Sequence, residues 1–465
     1  MSTSADLLIL GAGPAGLAAA WRAARRGYSV VVLERAHAVG GMAGSFEVDG
    51  VRVDHGSHRL HPATPPYLID ELRSLLGDDL QLRRRNGRLR LAGQWLGFPL
   101  RATELVKTLP VSTMARIGLD AAAAPLRRGR TDSYATALRQ SLGGTLYDAL
   151  YGPYAVKLWG LPGEQIDAEQ ARRRVTTDTL WKIAVRMLRG QSDGQGRVFY
   201  YPRRGFGQIV EALAEAATAA GAEIRLGTEV QQIHASPADC VRVGTDSGDL
   251  LGNRVFSTLP LPVLARMSHP PPAPAAVEAT GRLRFRAMVL VYLTHAGGRW
   301  TDYDAHYLPG AESPVSRISE PANYRESAAD PLDRSVVCAE IPCAAAGTDP
   351  IWQASDADLG ELVRDTAARI GLPPLRPGGV VTKRLGHVYP IYEIGYQDSL
   401  RGVDTWAAGL PRVTTFGRLG LFAHDNTHHA LAMGYDAVDA LTSGGFDEPA
   451  WAAARARFAA HVVED

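Results

Sequence analysis

Gly11, Gly13 and Gly16 stand in the spacing GxGxxG directly after an apolar run, Leu7 to Leu10. Each glycine answers a separate steric need. Gly11 permits a tight turn, Gly13 lets the backbone approach a pyrophosphate, and Gly16 lets the next helix pack close to the strand. Pro14 and Ala15 open that helix, which runs to about Arg26. Its first N–H groups and positive dipole end would face phosphates. A second apolar run, Tyr28 to Leu33, ends at Glu34, where an acid accepts hydrogen bonds from a ribose. A glycine turn alone is weak evidence. Strand, turn, helix, strand and acid in this order specify a dinucleotide.

Other residues carry chemistry further along. After Glu34 and Arg35, Gly40-Gly41-Met42-Ala43 adds a second flexible segment rich in backbone N–H groups. A hairpin, Phe46 to Val53 about Asp49-Gly50, leads to His55, Gly56, Ser57, His58 and His61. Three histidines invite a metal reading. It is set aside, because no carboxylate or cysteine cluster lies near in sequence, and no metal is expected. Arg83, Arg84, Arg85, Arg88 and Arg90 either line an anion site or form a solvated strand face. Tyr147, Tyr151, Tyr154 and Trp159 recur at helical spacing and read as core, with Lys157 in their midst able to meet an anion. Tyr389, Tyr392 and Tyr396 face a ligand or fill a core.

These residues need a large scaffold. The chain has 465 residues, enough for two or three domains. Fifty Lys+Arg against 49 Asp+Glu leave a net charge of +1, so no global field draws it to nucleic acid or lipid. Cys240, Cys338 and Cys343 are too few for a disulfide framework and favour a reducing compartment, with Cys338 and Cys343 read as buried thiols. The start is polar, no apolar run is long enough to span a bilayer, and a cytoplasmic location is expected. The Ala-rich stretch around Leu119 to Leu126 reads as a core helix, with peripheral membrane contact left open. Pro/Ala-rich His269 to Val277 reads as a linker. Arg101 to Leu188 is mainly helical in pattern. Arg282 to Thr294, Arg334 to Ile341 and Val380 to Arg384 read as strands of a second sheet.

The ERxxxxGGxxxS run from Glu34 to Ser45 and the stretch YYPRRGFGQIVEAL…AGAEIRLGTEVQQI resemble the FAD-dependent amine oxidase and protoporphyrinogen oxidase superfamily. The resemblance covers nearly the whole chain and implies FAD as cofactor. It implies that the Gly40-Gly41 pair runs beside the diphosphate and that Val230 meets the adenine. It also implies that Thr258 closes a strand near FAD, and that Gly417, Arg418, Asn426, Thr427 and His428 lie on the flavin. Gly56-Ser57-His58 and the strand pair ending Phe98-Pro99-Leu100 are similar, more narrowly, to UDP-galactopyranose mutase-like flavoproteins. There the histidine sits at the flavin face, which makes His58 and Arg418 the catalytic candidates. Arg88, Tyr154, Lys157, Tyr389 and Tyr392 are the substrate-binding candidates. The sugar mutases carry tyrosines after the Gly-Arg pair, where this chain has Phe422 and His424.

The expected fold is α/β: a discontinuous Rossmann-like FAD-binding domain and a mixed sheet-and-helix substrate domain. The FAD domain takes residues 1–90, 195–268 and 405–445, the substrate domain 91–194 and 269–404, and a C-terminal helix 446–465. Three functions compete. The first is an oxidoreductase that moves hydride from a small organic substrate to FAD. The second is a non-redox mutase interconverting pyranose and furanose forms of a nucleotide-linked sugar. The third is a non-catalytic protein that keeps FAD. Net redox change separates the first two, and FAD retained without turnover marks the third.

Overall fold

A computed structural model describes residues 3–98, 102–123, 126–127, 129–174, 198–237, 240–376 and 378–463. Its first sheet is assembled from distant parts of the chain. The strand Thr3–Leu10 pairs in parallel with Val30–Leu33 on one side and with Gly248–Ser257 on the other. Glu223–Arg225 extends the sheet beyond Val30–Leu33, and Val413–Thr415 joins the far end of Gly248–Ser257, both in parallel. The near end of Gly248–Ser257 instead forms an antiparallel hairpin with Val241–Thr245.

A parallel sheet must be covered on both faces. Leu7 and Ile9 pack into one core with the helices Pro14–Arg25, Gln208–Ala219 and Thr427–Asp439. The alternate residues Leu8 and Leu10 pack into another with Val403 and Ala407 of the helix Tyr396–Ala408. The two-residue period of the strand assigns each side chain to its layer.

The second sheet has the strand order Val380–Pro390, Phe285–Ala296, Arg334–Cys343, Arg317–Ser319, Ala305–Tyr307, Gly87–Leu91 and Gln94–Phe98. Its long central strands are antiparallel, and Val289 pairs with both Ile341 and Arg384. Gly87–Leu91 and Gln94–Phe98 form a tight hairpin about Ala92-Gly93, both at positive φ. The helices Tyr134–Leu142, Gly152–Trp159 and Ala168–Arg174 share a core with Leu89, Leu96 and Tyr307. The C-terminal helix is Glu448–Phe458.

Three sequence expectations change. His269 to Val277 is not a bare linker, because the helix Pro274–Arg282 begins inside it and Phe285 opens the next strand. The helix Val111–Ala123 is not a core element, for none of its described residues is buried. The arginines from Arg83 to Arg90 do not share one face. Arg83 pairs with Glu326 at 2.7 Å, Arg85 lies over Phe98, and Arg90 donates to the Ile370 carbonyl at 2.8 Å. The part of the expected helical stretch from 175 to 188 lies outside the described residues.

Candidate functional site

The glycine turn is held from three sides. Gly11 adopts φ +105°, and a side chain there would collide with the Thr258 hydroxyl. Thr258 Oγ1 donates to the Leu10 carbonyl at 2.8 Å, so this buttress is fixed. Glu34 reaches back into the turn: its carboxylate accepts from the Ala12 N–H and the Ala36 N–H, each at 2.9 Å. Gly40 donates to the Ala12 carbonyl at 2.8 Å. A side-chain carbon on Gly16 would collide with the Gly11 carbonyl, as the close helix–strand approach requires.

An open cradle remains between these walls. A Cβ on Gly13 would meet nothing within 4 Å, and one on Gly41 would stand 3.4 Å from the Gly13 Cα. No side chain caps the helix that begins after Gly13. Its first N–H groups therefore face space bordered by two glycine segments, which suits a diphosphate. Met42 and Ala43 form the short turn after Gly41, and Arg35 is exposed beyond Glu34. Val230 begins a strand and is buried.

The C-terminal segment returns to the same place. A Cβ on Gly417 would lie 3.2 Å from that of Ala15, and one on Gly434 would collide with the Ala15 carbonyl. Asn426 caps the helix Thr427–Asp439 in a reciprocal capping box with His429. Burial first, and then neighbouring His429, pushes the His428 imidazole down to about 3. His461 and His429 both turn Nδ1 toward the buried Asp425 carboxylate, at 2.8 and 3.3 Å.

His58 follows the hairpin. Burial lowers its pKa, so the ring is neutral, and Nε2 donates to the His55 carbonyl at 2.9 Å. This tautomer leaves Nδ1 as the acceptor. The ring stacks on Phe206, with centroids 5.2 Å apart. Asp54, just before this segment, accepts from Ser45 Oγ at 2.7 Å, Tyr201 OH at 2.6 Å and the Phe206 N–H at 2.9 Å. Gly56 is at φ +95°, and a Cβ there would sit 3.3 Å from a Glu340 carboxylate oxygen. The Ser57 N–H donates to that oxygen at 2.9 Å. Arg317 grips Glu340 at 2.7 and 2.8 Å.

A second group gathers about Tyr389. The Arg418 guanidinium lies 5.1 Å from its ring centroid and that of Arg174 lies at 4.9 Å. Arg418 Nε is buried and has no hydrogen-bond partner among the described residues, and the same holds for Arg317 Nε. Burial lowers the Arg418 pKa. Tyr154 is close enough to feel both Arg317 and Tyr389, and burial raises its phenol. It therefore lies within electrostatic reach of both Arg317 and Tyr389.

Three substrate-binding candidates are committed elsewhere. Arg88 is clamped between Trp95 and Tyr303, at 4.3 and 4.2 Å, and donates to His306 at 2.8 Å. Lys157 donates to the Leu308 and Val315 carbonyls, the latter at 3.0 Å. Tyr392 gives its hydroxyl to the Phe422 carbonyl at 3.1 Å and stacks on Tyr396 at 4.1 Å. Burial pushes its phenol up to about 12. Phe422 is fully buried, and His424 donates through Nε2 to the Pro390 carbonyl at 2.8 Å.

Sequence reasoning missed Asp54, Arg317 and Glu340. Asp54 is legible in hindsight as the acid closing the hairpin. Glu340 sits on a strand whose described side chains are buried from Ser335 to Cys343, so no alternation marks it.

Residues 14–444 match the flavin-containing amine oxidoreductase family. The chain belongs to that family. Its cofactor is FAD. A phytoene dehydrogenase of Streptomyces griseus is 29% identical over 295 residues, 57% of each chain. The chain thus spans just over half the length of that relative. Over a shorter stretch of 71 residues, 15% of this chain and 14% of the relative, it is 44% identical to the 1-hydroxycarotenoid 3,4-desaturase of Flavobacterium sp. strain P99-3. The fold is similar to that of reduced UDP-galactopyranose mutase, with a TM-score of 0.82, 20% identity and full coverage of both chains. Among the described residues no helix is long and apolar enough to cross a membrane.

Proposed function

We propose that this family member removes a hydride from a C–H bond of a small organic substrate. FAD, when bound, accepts the hydride. Gly11, Gly13, Gly16, Gly40 and Gly41 would hold its diphosphate and Glu34 its ribose. The division into an FAD domain (1–90, 195–268 and 405–445), a substrate domain (91–194 and 269–404) and a C-terminal helix (446–465) is part of the same reading.

The observation that carries this reading is the unpartnered Nε of Arg418, buried over Tyr389 on the turn that abuts Ala15. A fixed cation there favours negative charge developing on the reduced cofactor. Tyr154, Tyr389 and Arg317 line the substrate side, and the free Arg317 Nε suits a carboxylate or phosphate on the substrate. His58 takes the proton at Nδ1 that leaves a substrate N–H or O–H as the hydride departs. The substrate loses two electrons and two hydrogens, and O₂ or another acceptor restores the oxidised cofactor. Dehydrogenation, for which the Streptomyces relative is named, is a bond change of this kind.

A non-redox mutase acting on a nucleotide sugar is the second reading. The whole-chain likeness to the galactopyranose mutase supports it. Phe422, sealed in the core, and His424, tied to Pro390, speak against it, because neither offers a free hydroxyl to a diphosphate.

Anaerobic mixing with candidate substrates separates the two. Bleaching of the flavin in a single turnover supports the oxidoreductase. Isomerisation of a nucleotide sugar by dithionite-reduced enzyme, with no bleaching by any donor, overturns it. FAD retained with neither reaction across a broad screen leaves the non-catalytic role.

A further inference from the structure

Among the described helices of 13 or 14 residues, Val111–Ala123 alone buries none of its described residues. Its outward side is apolar. Val111, Ala115, Gly118, Leu119 and Ala122 are all exposed, at the spacing of one helical face. Leu126, just past the helix, is exposed as well. Val111 is 86% exposed, Leu119 70% and Leu126 83%, which makes them three of the four most exposed large apolar side chains described. A scattered exposed leucine needs no explanation, but a contiguous stripe marks a contact surface.

The opposite side is anchored to the protein. Asp120 accepts from the Thr145 N–H at 2.8 Å and pairs with Arg127 at 2.6 Å. Met114 and Ile117 pack against the helical core of the substrate side. The stripe is therefore the face that this packing turns outward.

Charge identifies the partner. Residues 101–130 contain six Lys/Arg and two Asp/Glu, a net of +4, against +1 for the whole chain. The rest of the chain thus sums to −3. Lys107 and Arg116 are exposed, and the Arg130 side chain is 92% exposed. Arg116 flanks the stripe, about a quarter-turn or more from its centre, where a long basic side chain reaches lipid headgroups while its neighbours enter the acyl boundary. A second copy of the chain, docked face to face, would set +4 against +4. We propose that this face is a docking surface for an anionic lipid bilayer, on which the helix lies flat.

The test uses the full-length, FAD-loaded protein and extruded vesicles. Co-sedimentation is expected with vesicles containing phosphatidylglycerol, to be weak with phosphatidylcholine alone, and to fall as salt is raised. The variant V111E/L119E is expected to lose binding at least about tenfold, since two charges replace inserted apolar groups. Both positions are exposed, so its FAD content and circular dichroism should match the parent. Three results would overturn the proposal: no sedimentation with anionic vesicles, equal binding by V111E/L119E, or a dimer of the parent in light scattering that V111E/L119E abolishes without any vesicle binding.

Discussion

Lys383 and His55 join the second sheet to the glycine cradle: Lys383 Nζ lies 2.7 Å from His55 Nε2. His55 Nδ1 in turn faces the Gly41 carbonyl at 2.8 Å, so it carries the proton and Nε2 accepts from the ammonium. A proton added to His55 would set two cations against each other in a part-buried site.

Acid sensitivity follows. Burial chiefly, and also Lys383, lowers the His55 pKa from 6.5 to about 4. The folded state excludes a proton that the unfolded chain takes up. Stability present above pH 6.5 is therefore lost as pH falls toward 4, by on the order of 3 kcal/mol for this group. Thermal melts across this window should show the loss, and His55→Gln should make it shallower by this group's share. His306 and His428, each lowered from 6.5 to about 3, add to the loss over the same window and extend it toward pH 3.

Two glycines separate cofactor binding from folding. Gly13 has open space where a side chain would project, whereas Gly434 faces the Ala15 backbone. Gly13→Val should fold normally and lose FAD, read as the ratio of flavin to protein absorbance. Gly434→Val should destabilise the chain by about 1–3 kcal/mol or more, because a backbone carbonyl must move. Full flavin content in Gly13→Val would remove this cradle from the diphosphate.

Glu340 and Arg317 form a nearly enclosed pair, with side-chain exposures of 6% and 20%. Glu340→Gln keeps the shape but leaves the guanidinium uncompensated, at a cost of about 3 kcal/mol. Adding Arg317→Met should restore most of that stability without restoring activity. Urea denaturation of the two single variants and the double variant measures the coupling. Simple additivity would mean that the pair is not a unit.

The cofactor cradle was legible because its signal is local. Gly11, Gly13, Gly16 and Glu34 lie within one strand–helix–strand unit, where sequence spacing nearly fixes spatial spacing. The opposite wall was not. Glu340 comes to Ser57 through a register between remote strands, and its own strand is buried on both faces, so period-two alternation is erased. Tyr154 and Lys157 illustrate a finer limit. They lie one turn apart on the same helix, yet one is within electrostatic reach of Arg317 and Tyr389 while the other caps two backbone carbonyls. Composition also misled at Val111–Ala123. An apolar run states what a helix could bury, and only tertiary packing states what covers it.

Arg418 offers the sharpest test of the proposed site. Its guanidinium lies over Tyr389, its Nε has no partner among the described residues, and its neighbour Gly417 abuts the first helix. If that cation stabilises charge on the reduced cofactor, its benefit appears in the chemical step. Arg418→Ala should then keep its FAD but lower kcat at least about tenfold, a change of roughly 1.4 kcal/mol in the barrier. It should also make the bound flavin harder to reduce in an equilibrium titration, a readout that a structural role would not move. If Arg418 instead only grips an anionic substrate, KM should rise while kcat and the titration stay unchanged. Arg418→Lys discriminates further: it retains the positive charge but loses the planar fork, so it should rescue the reduction equilibrium more fully than it rescues KM.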